Sequence, residues 1–351
     1  MSDDGIRCVA CRHAGAGSPA GTSREPIFGK VFELYECRHC GVVFSVLPAD
    51  FPLQEWYGKA HHFYGETEWL EPGASPSWRF DRFLTTSLQL GIQGRLLDVG
   101  CGEGRFLREA KRRGWRGTLL GVEFNPEMAG RSEEGLRIEV CPFDEFAARA
   151  VAEEPFDAVV MFDVLEHMPE PARALAQVKR LLRAGGYLCV SVPNRERIRF
   201  FGFEDFDFPP NHITRWHQAS LRALAEAAGF EVVALRSNLC TPASLAEQFF
   251  YPLFTAALPL AKRLLFGAQA GPDRTVSELL GAEAKAGVRP AGLKGAIADK
   301  RSRKKLELRL KSLFTVLTLP LTLPLCAAAI LLRPHSGTGL LMLARLRAGS
   351  S

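Results

Sequence analysis

Arg95-Leu96-Leu97-Asp98-Val99-Gly100-Cys101-Gly102-Glu103-Gly104-Arg105-Phe106-Leu107 decides the class of the fold. The short apolar run at its start predicts a buried strand, and EGRFLREAKRRG, which begins inside it, predicts an amphipathic helix. Glycines at 100, 102 and 104 let the chain turn tightly and let backbone approach a ligand, and a helix N-terminus offers its unpaired N–H groups there. Taken alone, such a loop is a weak signal. A dinucleotide fingerprint would need a small residue where this chain has Arg105, which counts against a nicotinamide cofactor.

Outward from the loop, strand and helix signals alternate. LLGVE and FDAVVMFDV predict strands, PARALAQVKRLLRAGG a helix, YLCVSVPN a strand, SLRALAEAAG a helix and FEVVALRS a strand. Near-continuous apolar strands alternating with helices imply a parallel sheet covered on both faces, a doubly wound α/β fold. Gly114, Gly185-Gly186 and Gly229 stand where C-terminal helix caps belong. An aromatic, irregular stretch (WYGKAHHFYGETEW) precedes the sheet and leads into a helix ending near Leu90.

Acids follow the strands at useful places. Glu123 ends LLGVE about 20 residues after the loop, where an acid typically grips two ribose hydroxyls. Asp144 follows the third strand, where an acid could accept from an adenine amino group or simply be solvated. LLDVGCGEGRFL, LGVE, FDAVVMFDVLEH, LLRAGGYLCVSVPN and HITRWHQASLRALAEAAGF together resemble the ordered motifs of class I S-adenosylmethionine methyltransferases across roughly residues 94–237. That resemblance implies a seven-stranded Rossmann-like sheet and S-adenosylmethionine as cofactor. It also implies cofactor contacts from Asp98, Gly100, Cys101, Gly102, Gly104, Glu123, Phe124, Asp144 and Asp163, with the glycine loop at the methionine end and Glu123 at the ribose.

Methyl transfer from a sulfonium needs a nucleophile held in line with the methyl, often with a base to deprotonate it. Glu166 and His167, beside Asp163 in D-V-L-E-H, and His212, with His217 as a further candidate in NHITRWH, are the catalytic candidates. The pattern resembles ubiquinone-pathway O-methyltransferases and small-RNA 2′-O-methyltransferases, in which E-x-x-E-H and a later His can gather a divalent metal; here Asp163 replaces the first Glu. Three roles stay open for the histidines: hydrogen bonds that shape the pocket, a general base, or metal ligation. FDVLEH stands where methyltransferases of exocyclic base amines often carry N/D-P-P-Y/F, which disfavours base N-methylation.

Cys8-x2-Cys11 and Cys37-x2-Cys40 form two knuckles with 25 residues between them, the pattern of a structural zinc ribbon. With four thiolates no position is left for a catalytic water, so the ion is expected to be structural. Cys101, Cys141, Cys189, Cys240 and Cys326 are expected to be core residues. The ribbon lacks the dense basic and aromatic interleaving of a nucleic-acid reader, so nucleic acid is not the expected partner.

Leu313–Leu332 is twenty residues without a charge, long enough to span a bilayer. FEVVALRS before it and GLLMLARLRA after it are expected to pair antiparallel at one edge of the sheet, so any crossings between them must be even in number. Either 248–266 pairs with 313–332, or the latter folds back at Pro320 and Pro324. Flanking Lys and Arg favour a shallow, peripheral or re-entrant membrane contact; the alternative is a helical cap over the substrate cleft.

The net charge of +5 is modest for 351 residues, and much of it lies in Lys300-Arg301-Ser302-Arg303-Lys304-Lys305. The polar start MSDDGIRC reads as no secretory leader, which places the protein in the cytoplasm, at the cytoplasmic face of the membrane. The expected organisation is a zinc-binding ribbon over 1–48, a linker and leading helix over 49–93, the core over 94–240, a hydrophobic helical insert over 241–336, and the last core strand and tail over 337–351. The expected activity is methyl transfer to an oxygen or carbon of a small, lipid-linked or otherwise apolar, biosynthetic intermediate. A cofactor-binding but inactive membrane scaffold and an RNA ribose methyltransferase are the alternatives.

Overall fold

A computed structural model describes residues 6–15, 17–24, 30–48, 50–53, 56–57, 77–199, 207–246, 248–249, 253 and 293–347. The chain divides into two compact units, Met1–Arg197 with Glu204–Asn238 and Gly337–Ser351, and Ile198–Phe203 with Leu239–Ser336. In chain order the elements are β1 (Gly17–Arg24), β2 (Val31–Cys37), β3 (Val43–Phe44), α1 (Trp78–Leu90), β4 (Leu96–Val99), α2 (Arg105–Arg112), β5 (Leu119–Glu123), β6 (Leu136–Val140), α3 (Phe143–Ala150) and β7 (Phe156–Phe162). A 3₁₀ turn (Leu165–His167) leads to α4 (Pro171–Leu181), β8 (Leu182–Pro193), β9 (Thr214–Arg215), α5 (Gln218–Ala227), β10 (Phe230–Ser237), α6 (Leu293–Leu332) and β11 (Gly339–Leu346).

Seven strands form one sheet in the order β10-β11-β8-β7-β4-β5-β6. β4 through β8 run parallel, and β11 is antiparallel to both β8 and β10. The expected α/β class, the strand count and the antiparallel closing pair are all present. Strand order reverses between β4 and β7, and in open α/β sheets ligands bind at the carboxyl ends of the strands beside such a reversal. The sheet is covered on both faces because its strands alternate between two apolar layers. Leu97, Val99, Val159 and Met161 belong to one cluster; Leu96, Ala158 and Val160 belong to the other, with Phe83 and Phe106 from the helices.

Helix ends follow the glycines in part. Gly114 (φ +80°) and Gly229 (φ +94°) lie just beyond α2 and α5 as expected. Gly185-Gly186 does not cap α4: that helix ends at Leu181, and both glycines lie inside β8. The register of β7 on β8 slips between Phe156 and Ala158, and Gly185 at φ +71° absorbs that irregularity.

The cysteine segment shares its sheet and much of its core with the larger sheet's unit. β1, β2 and β3 make a small antiparallel sheet whose fourth strand is β9, which comes from the chain after β8. Cys8, Cys37, Cys40, Val42 and Phe44 share one buried cluster with Leu97, Val99 and Trp216. Arg195 adds a hydrogen bond to the Gly41 carbonyl at 2.8 Å and an ion pair with Glu36 at 2.7 Å. The ribbon is therefore built into the sheet-bearing unit.

In the second unit, α6 is one helix of 40 residues with Pro320 and Pro324 inside it. The expected fold-back at those prolines does not occur. The other arrangement, pairing with 248–266, falls almost entirely outside the described residues.

Phe106 packs within 4.8–5.7 Å, ring centre to ring centre, of Phe80, Phe83 and Phe162, joining α1, α2 and the end of β7. Phe106→Ala is expected to cost about 3–5 kcal/mol, read as a lower denaturant midpoint at unchanged slope.

Candidate active site and metal centre

The glycine loop leaves β4 at the reversal point. Gly100 and Cys101 donate their N–H groups to the Val122 carbonyl at 2.8 and 3.1 Å, so the loop's first turn stays in register with β5. Glu123, buried at the tip of β5, closes the arrangement. One oxygen accepts from the Gly102 N–H at 3.0 Å and the other from the Asn125 N–H at 3.0 Å. Gly102 has φ +50° and open space where a Cβ would stand, the opening a closely approaching ligand requires. The residues present fit S-adenosylmethionine at this loop.

Other expected cofactor residues divide. Asp98 is buried beside Glu123; burial first, then the charge of Glu123, pushes its carboxyl well up. Cys101 packs its sulfur over Gly121, and burial raises its thiol, so it is a packing residue. Phe124 is exposed at the rim, edge-on to Tyr57. Asp144 lies in the first turn of α3, where Gln177 donates to it at 2.8 Å and Arg173 pairs with it at 3.2 Å. Those partners come from α4, and no contact joins Asp144 to the glycine loop among the described residues.

Asp163 ends β7 in the left-handed region at φ +54°, a conformation Asp tolerates better than most and one that gathers at functional sites. Ser191 Oγ donates to its carboxylate at 3.0 Å and Arg79 pairs with it at 2.9 Å. Three residues on, Glu166 is 1% exposed, and neither of its carboxylate oxygens has a hydrogen-bond partner among the described residues. Burial, then the charge of Asp163, pushes the Glu166 carboxyl well up.

His167 and His212 stand edge-to-face with ring centres 5.0 Å apart, and His167 Nε2 lies 4.0 Å from Glu166. His167 Nδ1 is 2.7 Å from the Asn211 carbonyl, which can only accept. The proton therefore sits on Nδ1, which leaves a lone pair on Nε2. Burial lowers both imidazoles; for His212 the neighbouring His167, Arg197 and Arg215 lower it further. Ligand atoms of Glu166, His167 and His212 all lie within 4.8 Å of one another. His217 is not among them. It caps α5 by accepting from the Ser220 N–H at 2.9 Å, and its ring lies against Gly41 of the ribbon.

Three participants escaped the sequence. Arg79, on α1, brings a guanidinium whose Nε is buried without a hydrogen-bond partner among the described residues. The Tyr57 hydroxyl lies 3.1 Å from the carbonyls of both His167 and Asn211, tying the two histidine segments together. Asn211 fixes the His167 tautomer. Arg79 and Tyr57 come from the stretch before β4, whose aromatic residues carry no motif spacing.

The four ribbon cysteines converge with Cys8 and Cys40 sulfurs 3.7 Å apart and Cys11 and Cys37 sulfurs 3.6 Å apart. Tetrahedral Zn–S bonds of ~2.3 Å put sulfurs about 3.8 Å apart, so spacing and donor set both fit zinc. Backbone N–H groups of Ala10 and Cys40 point at the Cys8 and Cys37 sulfurs at 3.4 Å. The contact between the two sulfurs lowers the Cys8 thiol and raises that of Cys40.

Residues 76–235 match the family model described as a methyltransferase domain. Among curated relatives, a protein named "Probable S-adenosylmethionine-dependent methyltransferase" from Mycolicibacterium smegmatis is 30% identical over 39% of this chain and 52% of its own length. A "Ubiquinone biosynthesis O-methyltransferase" from Alkalilimnicola ehrlichii is 35% identical over 30% of this chain and 44% of its own. The chain thus spans about half the length of these relatives. A solved "SAM dependent methyltransferase" from Archaeoglobus fulgidus aligns with TM-score 0.41 at 16% identity, over 76% of this chain and 94% of that one, a likeness too slight to build on. Residues 76–235 thus match a methyltransferase domain, and the relatives of this chain include a protein named as a probable S-adenosylmethionine-dependent methyltransferase.

Proposed function

We propose that the protein transfers a methyl group from S-adenosylmethionine to an oxygen of a small, apolar or lipid-linked biosynthetic intermediate, with carbon as the second choice of acceptor atom. The observation that carries this reading is a cluster of one buried carboxyl without a hydrogen-bond partner among the described residues, Glu166, with the half-buried imidazole of His167 just beyond β7 and the buried imidazole of His212 before β9; β7 pairs with β4, which carries the glycine loop. Relatives named for O-methylation support oxygen as the acceptor.

When bound, the cofactor supplies a sulfonium methyl that needs only a nucleophile in line with it. Gly102 and Glu123 hold the cofactor's methionine and ribose parts. His167 Nε2 takes the proton of the acceptor hydroxyl, because its Nδ1 proton is committed to Asn211. The positive charge formed there lies 4.0 Å from the Glu166 carboxyl. Tyr57 keeps the two histidine segments together. Positioning supplies the larger share of the rate, on the order of several kcal/mol.

One observation favours a second reading of the same cluster. A buried carboxylate with two unpartnered oxygens beside two neutral imidazoles is a donor set for a divalent cation. There the cation would lower the acceptor hydroxyl's pKa in place of the His167 base.

Calorimetric titration with S-adenosylmethionine is expected to show micromolar binding in the native protein and none in Glu123→Ala. Absence of binding by folded native protein would overturn the methyltransferase reading, and binding without turnover would favour an inactive scaffold. His167→Asn is expected to lower kcat by about 10²–10⁴-fold with little change in cofactor affinity. With native protein, kcat/KM should rise with pH through a value below the ordinary histidine pKa of ~6.5 and stay flat above it, because burial holds His167 neutral. Activity lost to a chelator and restored by magnesium or manganese alone would select the cation reading.

We further propose that Cys8, Cys11, Cys37 and Cys40 hold one structural zinc. Because β9 completes the ribbon's sheet, stripping the metal should weaken the whole sheet-bearing unit. The expected result is about one zinc per chain, and a melting point at least ~5 °C lower in Cys40→Ser, the scale of a loss of about 2 kcal/mol in a domain of this size.

A further inference from the structure

The helix Ser312–Leu332 is turned inside out. In a helix of a water-soluble protein the apolar stripe faces the protein and polar residues face solvent. Here the two buried positions are Thr322 and Cys326, 1% and 4% exposed, and with Thr315, Thr318 and Ala329, and the half-buried Phe314, Leu319 and Ile330, they form the face turned toward the protein. That face is tied down within its own unit. Cys326 lies 3.1 Å from the Cys240 carbonyl and packs in a small cluster with Cys240, Leu245, Ile198 and Ala329. Thr318 and Thr322 return their hydroxyls to the carbonyls of Phe314 and Thr318 at 2.8 and 3.0 Å. The outward side is Leu313, Val316, Leu317, Leu321, Leu323, Leu325, Leu331 and Leu332, with Leu317 69% and Leu331 82% exposed.

An outward surface of that kind is a binding surface, and its shape selects the occupant. A partner helix or a second copy covers a narrow seam, two positions in seven. The exposed leucines and valines instead spread over more than half of the helix circumference at ~100° per residue, which a fluid solvent of hydrocarbon covers and a single partner element does not. The sequence just upstream on the same helix, Lys300-Arg301-Ser302-Arg303-Lys304-Lys305, followed by Arg309 and Lys311, supplies the charge that anionic headgroups attract.

Connectivity then fixes the mode. β10 and β11, which bracket the insert, are antiparallel neighbours in one sheet and must lie on one side of any bilayer. Six residues separate Leu332 from Gly339, a reach of about 20 Å, which is less than a hydrocarbon core of ~30 Å. A helix whose inner face is occupied by its own chain is lipid-bathed on the other face alone.

We propose that Ser312–Leu332 docks this protein in the plane of an anionic bilayer, its outward face among the acyl chains and its inward Thr–Cys face on the protein. This stands independently of the methyl-transfer reading, since its test uses no cofactor. Full-length protein is mixed with phosphatidylcholine vesicles, with and without phosphatidylglycerol, and floated on a density gradient. Flotation is expected with the anionic vesicles, weaker at high salt, and much less with phosphatidylcholine alone. The double variant Leu317→Asp with Leu321→Asp should keep the native melting point, since both positions are exposed, and lose about tenfold or more in partitioning, the scale of carboxylates moved into hydrocarbon. The fluorescence of a Leu317→Trp variant should be quenched by vesicles brominated on the acyl chains. Folded native protein that floats with neither vesicle, or a double variant that floats as well as the native chain, would overturn the proposal. A soluble dimer split by the double variant would replace the bilayer by a second copy.

Discussion

The Glu123 carboxylate holds the glycine loop of β4 to the end of β5, and the cofactor side of the domain depends on that contact. Its two oxygens take the N–H groups of Gly102 and Asn125, one from each of two loops that β-pairing alone leaves open. Adjacent parallel strands end level with each other, so the loops leaving them start close together; a short acid at one tip can then bind both. Charge-assisted hydrogen bonds of this kind are about twice as strong as neutral ones. With the loop fixed, Gly102 is left with open space above its backbone. Rigid placement of the loop is what allows a ligand to be held without ordering the protein first.

On the other side of the sheet, β9 joins two parts that the linear sequence keeps about 170 residues apart. It donates two residues to the ribbon's sheet, while the chain just before it carries Asn211 and His212. Ser45 N–H reaches the Ile213 carbonyl at 3.0 Å, and Ile213 N–H reaches the Glu166 carbonyl at 2.8 Å. A continuous hydrogen-bonded path therefore runs from the ribbon, through 213, to the turn carrying Glu166 and His167. The ribbon thus holds, through Ser45, the backbone of the turn that carries Glu166 and His167.

The sequence showed most of the sheet and half of the site. LLDVG, LLGVE and FDAVVMF are legible because a strand buried on both faces must be apolar throughout, and few other structures require that. Glycine at 100, 102 and 104 and the acid at 123 are legible because backbone conformation and ligand approach restrict the residue type. Arg79 and Tyr57 were not legible, since each acts across 84 and 110 positions of sequence through one contact that many residue pairs could make. The end of α4 was misread for a related reason. Gly185-Gly186 carries the same local signal whether it caps a helix or relaxes a strand, and the pairing of β8 on β7 decides between them. The face of α6 was likewise hidden, because a run that is apolar all round gives no period from which a direction can be read.

Asp163 and Glu166 show how one environment sets two carboxyls apart. They lie three residues apart beyond β7, and a single guanidinium is within reach. Arg79 is committed to Asp163, at 2.9 Å, together with the Ser191 hydroxyl. That leaves Glu166 buried, without a hydrogen-bond donor among the described residues, and facing the charge of its neighbour. An ionised carboxylate in that position would cost several kcal/mol unless a cation or an imidazolium stood beside it. His167 is the group placed to provide that charge, and only after it has taken a proton. Burial thus disfavours charge on both Glu166 and His167, and under the proposed function the arrangement would be stabilised by the product of proton transfer more than by its reactant. Under the proposed function, a site tuned in this way would place its charge where it develops during reaction, which is the electrostatic requirement for deprotonating an acceptor.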